Sequence, residues 1–449
     1  MIRKNEILEA DIEKLAGEHG LTHVDGMAVF VRGALPGERV RFRVEKAERS
    51  FAFAKTMEIL KTSCERREPV CPAYEKCGGC QLQHMSYELG LEMKREHVRD
   101  VQKRLGGMDL PVPKVIGMDD PWHCRNKISL PVGGTPQDPL IGYYRTRSHQ
   151  IIPVDTCPMV MRQGEKVIPA MKRWIREEGI QPYNETDGTG LLRHIMIRVS
   201  RKGDVMAVPV VTGSVRNPDR LTGILREEVP GLATVCLNVN RRRDNVILGS
   251  ETHVLFGDGI LDDELCGLSF RVSPVSFFQV NPVQTEKLYS TALEFADLKG
   301  TESVCDLYCG AGTISLMLAR RAKKVLGIEE VAPAVEDAKR NAANNGITNA
   351  SFVAGKAEEI LPRMASEGFK ADCVVLDPPR KGCERSVLEA VAKTGAKKIV
   401  YVACDPATQA RDIRIFAELG YMGEKTQSVD MFCYTAHVET VVSMTRKDS

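Results

Sequence analysis

The sequence predicts an α/β protein whose C-terminal part is a doubly wound parallel sheet. Three observations carry that prediction. From about residue 275, short apolar runs alternate with helical stretches. Ser303–Tyr308, Lys324–Glu329, Ser351–Ala354, Asp372–Asp377 and Lys398–Ala403 read as strands, and Thr313–Ala322, Ala332–Asn345, Ala357–Ala365 and Arg385–Thr394 as helices. A glycine turn, Cys309-Gly310-Ala311-Gly312, follows the first strand, and the second ends in an acid, Glu329. Ligands of such sheets bind at the C-terminal ends of the strands. Finally, 449 residues are too many for one ordinary domain, so other units must precede this one.

Composition narrows the class. An apolar fraction of 43% supplies real cores, and a formal charge of +2 means that an anionic partner must be met by a local patch. The first residues, Met1-Ile2-Arg3-Lys4-Asn5-Glu6, are charged and do not resemble a signal peptide. No apolar run approaches membrane-spanning length. A soluble, cytoplasmic protein is therefore expected. There, clustered cysteines among the 14 read as metal ligands or catalysts rather than disulfides.

Residues 1–62 read as a small β domain. Met27–Arg32 and Arg39–Val44 are expected strands, separated by the turn Leu35-Pro36-Gly37-Glu38. In the second, Val40, Phe42 and Val44 point one way and Arg39, Arg41 and Arg43 the other. That basic face beside Phe51 and Phe53 is a candidate for gripping an RNA backbone and stacking bases. A plain solvated strand face accounts for it equally well.

Residues 63–270 read as a mixed α/β domain with a cysteine-rich loop. Cys71, Cys77 and Cys80 form a C-x5-C-x2-C run, with Gly78 and Gly79 allowing the backbone to wrap a metal centre. A fourth ligand is needed. Cys157 is the best candidate, in competition with Cys64 and Cys124. Four thiolates suit a [4Fe-4S] cluster or structural zinc. Trp122–Val132 and Leu191–Val199 contain expected strands, and Arg125, Asn126, Lys127 and Arg193 are candidate phosphate contacts.

Residues 271–449 hold the remaining chemistry. Ile399–Asp412 reads as a buried strand, then Cys404, then a helix opened by Asp405 as cap and Pro406 at its first turn. A thiol there is fixed in place, and the helix dipole favours its thiolate. Gly310, Gly312 and Glu329 alone also describe a nicotinamide site. Asp306 at a strand end and the later Asp377-Pro378-Pro379-Arg380 favour an S-adenosylmethionine methyltransferase instead. Cys309 and Cys383 read as packing residues.

In family terms, the chain resembles the RNA (uracil-5-)-methyltransferases, in particular the bacterial 23S rRNA branch with a TRAM domain and an iron–sulfur cluster. The resemblance rests on GALPGE at 33–38, CPAYEKCGGCQLQH at 71–84, FFQVN at 277–281, DLYCGAGTISL at 306–316, LDPPRKG at 376–382, ACDPATQARD at 403–412 and HVE at 437–439. It implies a Rossmann-like class I methyltransferase domain over 271–449 and an OB-like TRAM barrel over 1–62. It further implies Gln279, Tyr308, Glu329 and Asp377 as cofactor-binding residues, Cys404 as nucleophile and Glu439 as general base. Cys71, Cys77, Cys80 and Cys157 match the family's cluster ligands. The implied substrate is 23S rRNA rather than tRNA, and a monomer is the default. Two departures stand out: Asp405 where Asn is common, and Cys433 where Pro is frequent. The Asp405 carboxylate is expected to raise the neighbouring thiol's pKa. Two other readings compete: an exocyclic amino methyltransferase, which would not need Cys404, and a non-catalytic RNA-binding factor.

Overall fold

The structure, a computed structural model, describes residues 2–447. Three larger sheets and one hairpin organise these residues.

The first sheet has strand order 7–11, 39–47, 51–61, 27–32, 19–24, 14–16. The strand Arg39–Ala47 alternates as expected: Val40, Phe42 and Val44 are fully buried among Val29, Val31, Ala52 and Ala54. The arginines do face outward, but two of them are not free. Arg41 is ion-paired to Glu9 and Glu58, and Arg39 to Asp11. The cross-strand register Arg41–Glu9 and Arg39–Asp11 explains this, because opposed residues share a face. The cationic grip expected of this face is therefore largely neutralised. Its aromatic part persists as Phe30, Phe51 and Phe53 in mutual ring contact.

The central sheet, which sequence patterning did not order, runs 251–256, 232–239, 205–211, 192–199, 127–134, 139–144, 151–153. Helices Val167–Glu177 and Pro218–Glu228 cover it with Met171, Trp174, Leu221 and Leu225. Two of its candidate phosphate contacts are structural. Arg193 is buried and donates to the carbonyls of Asn240 (3.1 Å) and Arg242 (2.6 Å). Asn126 is buried and donates to the Gln279 carbonyl at 3.0 Å. A buried side chain whose donors are spent on backbone cannot serve phosphate.

The C-terminal sheet has the order 350–354, 324–329, 303–307, 373–376, 398–403, 439–446, 421–429. The first five strands are parallel and coincide with the expected ones within two residues. The last two, Glu439–Arg446 and Tyr421–Val429, add an antiparallel edge. Both faces are covered: Val400 and Val402 enter one core, and Ile399 and Tyr401 the other. That is why this strand reads as a continuous apolar run. The hairpin Leu261–Leu265/Leu268–Val272 bonds to the helix Ala332–Asn344 through the Asn341 and Asn345 side chains. The expected boundary at 270/271 cuts this hairpin, which packs with the C-terminal sheet.

Candidate active site

The glycine turn lies at the C-terminal end of the strand Ser303–Leu307. Gly310 and Gly312 have φ of +54° and +83°, a region that disfavours side chains. A Cβ on Gly312 would press on Ala338 (3.0 Å) and Phe352 (3.2 Å), whereas space over Gly310 is open. Glu329 accepts the Gly310 N–H (3.0 Å) and the Val331 N–H (2.8 Å), so it is fixed beside the turn with lone pairs remaining. Tyr308, also at positive φ, donates to Glu358 at 3.1 Å. Asp306 is buried and accepts from Ser315 at 2.5 Å through one oxygen, while the other has no partner. Burial pushes its carboxyl up to about 7. An orphaned acid oxygen, an open glycine and a fixed carboxylate suit a polar cofactor with ribose hydroxyls.

Cys404 follows the strand Lys398–Ala403, and Asp405 caps the helix Pro406–Glu418 by accepting the N–H groups of Ala407 (2.9 Å) and Thr408 (3.1 Å). Sheet register supplies the partner. Ala403 pairs with Thr440, so Glu439 emerges beside Cys404 from the adjacent antiparallel strand. Gln409 locks the arrangement by donating to the Tyr401 carbonyl (2.8 Å) and the Thr440 carbonyl (3.0 Å). Asp412 accepts the Tyr401 hydroxyl (2.6 Å) and the Cys383 N–H (2.8 Å), which ties the loop after Asp377 to the same helix.

The electrostatics differ from expectation. Burial raises the Cys404 thiol above its ordinary value, and the Glu439 charge adds to this; Arg380 opposes both. The influential carboxylate is Glu439, and Asp405 is occupied with capping. Glu439 is buried with one oxygen unpartnered. Burial, then Asp377, pushes it well above the carboxylate range, and Arg380 draws it back. Burial likewise pushes Asp377 up to about 7. Arg380 is thus the cation of the pocket, and its Nη2 lies 3.3 Å from His437 Nε2. Sequence reading gave neither residue a role, although the Arg after Asp-Pro-Pro and the His two before Glu439 were the available signals.

Gln279 is buried, and its backbone carbonyl accepts from Asn126. Of the neighbouring aromatics, Phe278 is core, packed on Phe270, while Phe277 is 60% exposed with Lys127 Nζ 6.0 Å from its ring centre. Phe277 is therefore the ring free to stack.

Cys71, Cys77, Cys80 and Cys157 line one recess, together with Tyr143 and Arg125. The Gly79 N–H points to Cys77 Sγ (3.3 Å), and the Tyr143 hydroxyl to Cys157 Sγ (3.7 Å). Burial pushes Cys80 up to about 12 and raises Cys77 and Cys157, with neighbouring thiols adding to each. The competing candidates lie elsewhere: Cys64 is exposed, and Cys124 is buried against Cys433 and Met159. Among the described residues, no three His, Cys, Asp or Glu side chains are gathered tightly enough to hold a metal ion.

A doubly wound sheet with a glycine turn, an acid after the second strand and an Asp-Pro-Pro loop defines the class I, S-adenosylmethionine-dependent methyltransferases. Residues 260–447 match the family model described as tRNA (Uracil-5-)-methyltransferase, and residues 3–57 match the TRAM domain. An uncharacterized RNA methyltransferase of Clostridium acetobutylicum is 46% identical, covering 100% of this chain and 98% of the relative. Another, from Caldanaerobacter subterraneus subsp. tengcongensis, is 43% identical over 99% of both chains. The crystal structure of Pyrococcus abyssi tRNA (uracil-54, C5)-methyltransferase with S-adenosyl-L-homocysteine superposes with a TM-score of 0.77 at 26% identity, covering 97% of this chain and 100% of that one. The chain belongs to the RNA (uracil-5-)-methyltransferase family. No helix among the described residues is long and apolar enough to cross a membrane.

Proposed function

We propose that the protein methylates carbon 5 of a uridine in 23S rRNA, with Cys404 as nucleophile and Glu439 as general base. The pairing of Ala403 with Thr440 carries this reading, because it sets a thiol and a buried carboxylate side by side at the sheet's ligand end. Carbon 5 of uracil is a weak nucleophile. The Cys404 thiolate adds to carbon 6, and the electron pair displaced from the ring double bond makes carbon 5 enolate-like. Carbon 5 then takes the methyl group from the sulfonium of S-adenosylmethionine, breaking its S–CH₃ bond. Glu439 accepts the carbon-5 proton, the C6–S bond breaks, and 5-methyluridine leaves. Arg380 lowers the cost of ionising Cys404, and the burial that raises Glu439 well above the ordinary carboxylate range makes its carboxylate a stronger base. Gln279, Tyr308, Glu329 and Asp377 hold the methyl donor. The target base is flipped out of the RNA, with Phe277 as its stacking surface.

Cys71, Cys77, Cys80 and Cys157 are proposed to hold a [4Fe-4S] cluster. Four thiols spread round one recess suit a polynuclear centre better than one zinc, held at about 2.3 Å by each sulfur. The cluster supplies structure or RNA positioning and takes no part in methyl transfer. The proposed division of labour is RNA binding by 1–62, cluster and support by 63–270, and chemistry by 271–449. A monomer is the proposed state.

The resemblance to the branch with a TRAM domain and cysteine loop supports rRNA. The full-length likeness to a tRNA enzyme favours a second reading, the same chemistry on tRNA. Labelled methyl transfer to unmodified 23S rRNA and tRNA, with the nucleoside identified, decides between them. 5-Methyluridine in rRNA alone upholds the proposal, and label in tRNA alone replaces the substrate. A methylated exocyclic amine would overturn the chemistry, and failure to bind S-adenosylmethionine would mark a non-catalytic RNA-binding factor.

A further inference from the structure

Glu439 opens its strand, so its placement depends on the turn that precedes it, residues 430–438. Elements distant in sequence hold that turn. The Asp430 carboxylate is fully buried and accepts from Lys94 Nζ and from the Tyr87 hydroxyl (2.6 Å), both on the helix Tyr87–Arg104. Lys94 is itself only 1% exposed and donates a second bond to the Phe432 carbonyl at 3.1 Å. Gln284 donates to the Asp430 carbonyl (3.2 Å) and to the Ile116 carbonyl (2.7 Å). The Gln81 and Leu82 N–H groups both donate to the Tyr434 carbonyl, at 2.9 and 3.0 Å. These two residues directly follow Cys80. Tyr434 has φ of +56°, and Trp122 stacks on its ring at 4.2 Å.

A buried Lys–Asp pair is weak evidence for stability, because desolvating both charges cancels much of their attraction. What such a pair does impose is position, since moving either partner strands a buried charge. The nucleophile's strand and helix are held by bonds that involve neither Lys94 nor Asp430: Gln409 donates to the Tyr401 carbonyl and Asp412 accepts the Tyr401 hydroxyl. Gln409 also reaches the Thr440 carbonyl, so the clamp acts on the turn before Glu439 rather than on its strand.

We propose that the helix Tyr87–Arg104 and the end of the cysteine-rich loop clamp the turn 430–438, with Lys94 and Asp430 as positioning residues for Glu439. The proposal rests on the reading of Glu439 as general base. It separates the two halves of the reaction: attack by Cys404 and methyl transfer proceed without the clamp, whereas removal of the carbon-5 proton requires it.

The test follows the covalent protein–RNA adduct and the free product in rapid-quench experiments with ordinary substrate RNA. Lys94→Met removes the charge at similar length. Lys94→Met/Asp430→Asn removes both charges and leaves none stranded, so it folds even if the single variant does not. Product release is expected to slow by roughly tenfold to a hundredfold, the cost of misplacing a catalytic group by about 1 Å. The methylated adduct accumulates meanwhile, and KM for S-adenosylmethionine is unchanged. Tyr87→Phe gives the same pattern at smaller amplitude. Wild-type product rates in the double variant would overturn the clamp, as would adduct and product declining in proportion, which is the signature of a general structural defect. Two controls isolate the underlying reading: Cys404→Ala must form no adduct and Glu439→Gln must accumulate it. If either control fails, the reaction scheme is wrong rather than the clamp.

Discussion

The pocket around Cys404 and the recess around Cys80 both hold thiols that burial raises above their ordinary pKa, yet their surroundings assign them opposite work. Cys404 is alone among unlike groups: Glu439 and Asp377 disfavour its thiolate, and Arg380 favours it. Cys71, Cys77, Cys80 and Cys157 line one recess, where neighbouring thiols add to the burial that raises Cys77, Cys80 and Cys157. In the proposed roles, the single cysteine serves as nucleophile through neighbours that move charge and protons, and the four cysteines serve as ligands through the recess they share. The side chain is the same, and its company decides.

The largest expected effect falls on Cys404. Cys404→Ala should lower methyl transfer at least roughly 10⁴-fold and abolish trapping by 5-fluorouridine RNA, while bound iron stays at the wild-type level. Residual adduct in that variant would erase the distinction between the two thiol sites. The mirror variant is Cys80→Ala, which should cut bound iron from about four atoms per chain to near zero, together with its visible absorbance. Iron retained in Cys80→Ala would remove that residue from the ligand shell.

Arg380 sharpens the comparison further. Proposed catalysis needs Cys404 and Glu439 deprotonated, so the rate should rise with pH as these raised groups ionise. Arg380→Met removes the opposing charge from both, and each pKa moves further up. The rising limb should shift to higher pH, giving a loss at neutral pH that is recovered in alkali. An unshifted profile would show that Arg380 does not tune the pair.

The smallest effect is expected at Asp405. Its side chain caps the helix after the nucleophile, so Asp405→Ala should cost about 1 kcal/mol of stability. That corresponds to about 2–4 °C in melting temperature, with activity within a few-fold of wild type. A large activity loss would make Asp405 part of the thiol's environment, contrary to the geometry.

Much of the fold was legible where periodicity was simple. Among the five parallel strands the inner ones stand out because they are buried on both faces, and the turns between strands carry glycine, proline and acids; the edge strand Ala350–Ala354 buries only Phe352. The central sheet was not legible in order, because all but one of its pairings are antiparallel and long connections join them. The strand Tyr421–Val429 hides for another reason: its edge position leaves polar residues such as Glu424 and Lys425 exposed within it. Of the site, Cys404, Glu439, Asp377 and the glycine turn were marked by motif. Arg380 and His437 lay inside the LDPPRKG and HVE motifs without a role, since what either does depends on the groups that folding sets beside it.

The sequence by itself determined the local chemistry: which segments are strands, where a cap opens a helix after Cys404, and which cysteines are spaced to wrap a centre. These are matters of a few neighbouring residues and their covalent geometry. Tertiary structure alone decided which groups meet. Strand register brought Glu439 to Cys404 across 35 positions, and folding spent Arg39, Arg41, Arg193 and Asn126 on internal partners. Packing separated Phe277 from Phe278 and buried Lys94 against Asp430. Such pairings depend on cross-strand register and helix docking, which no window of neighbouring residues encodes.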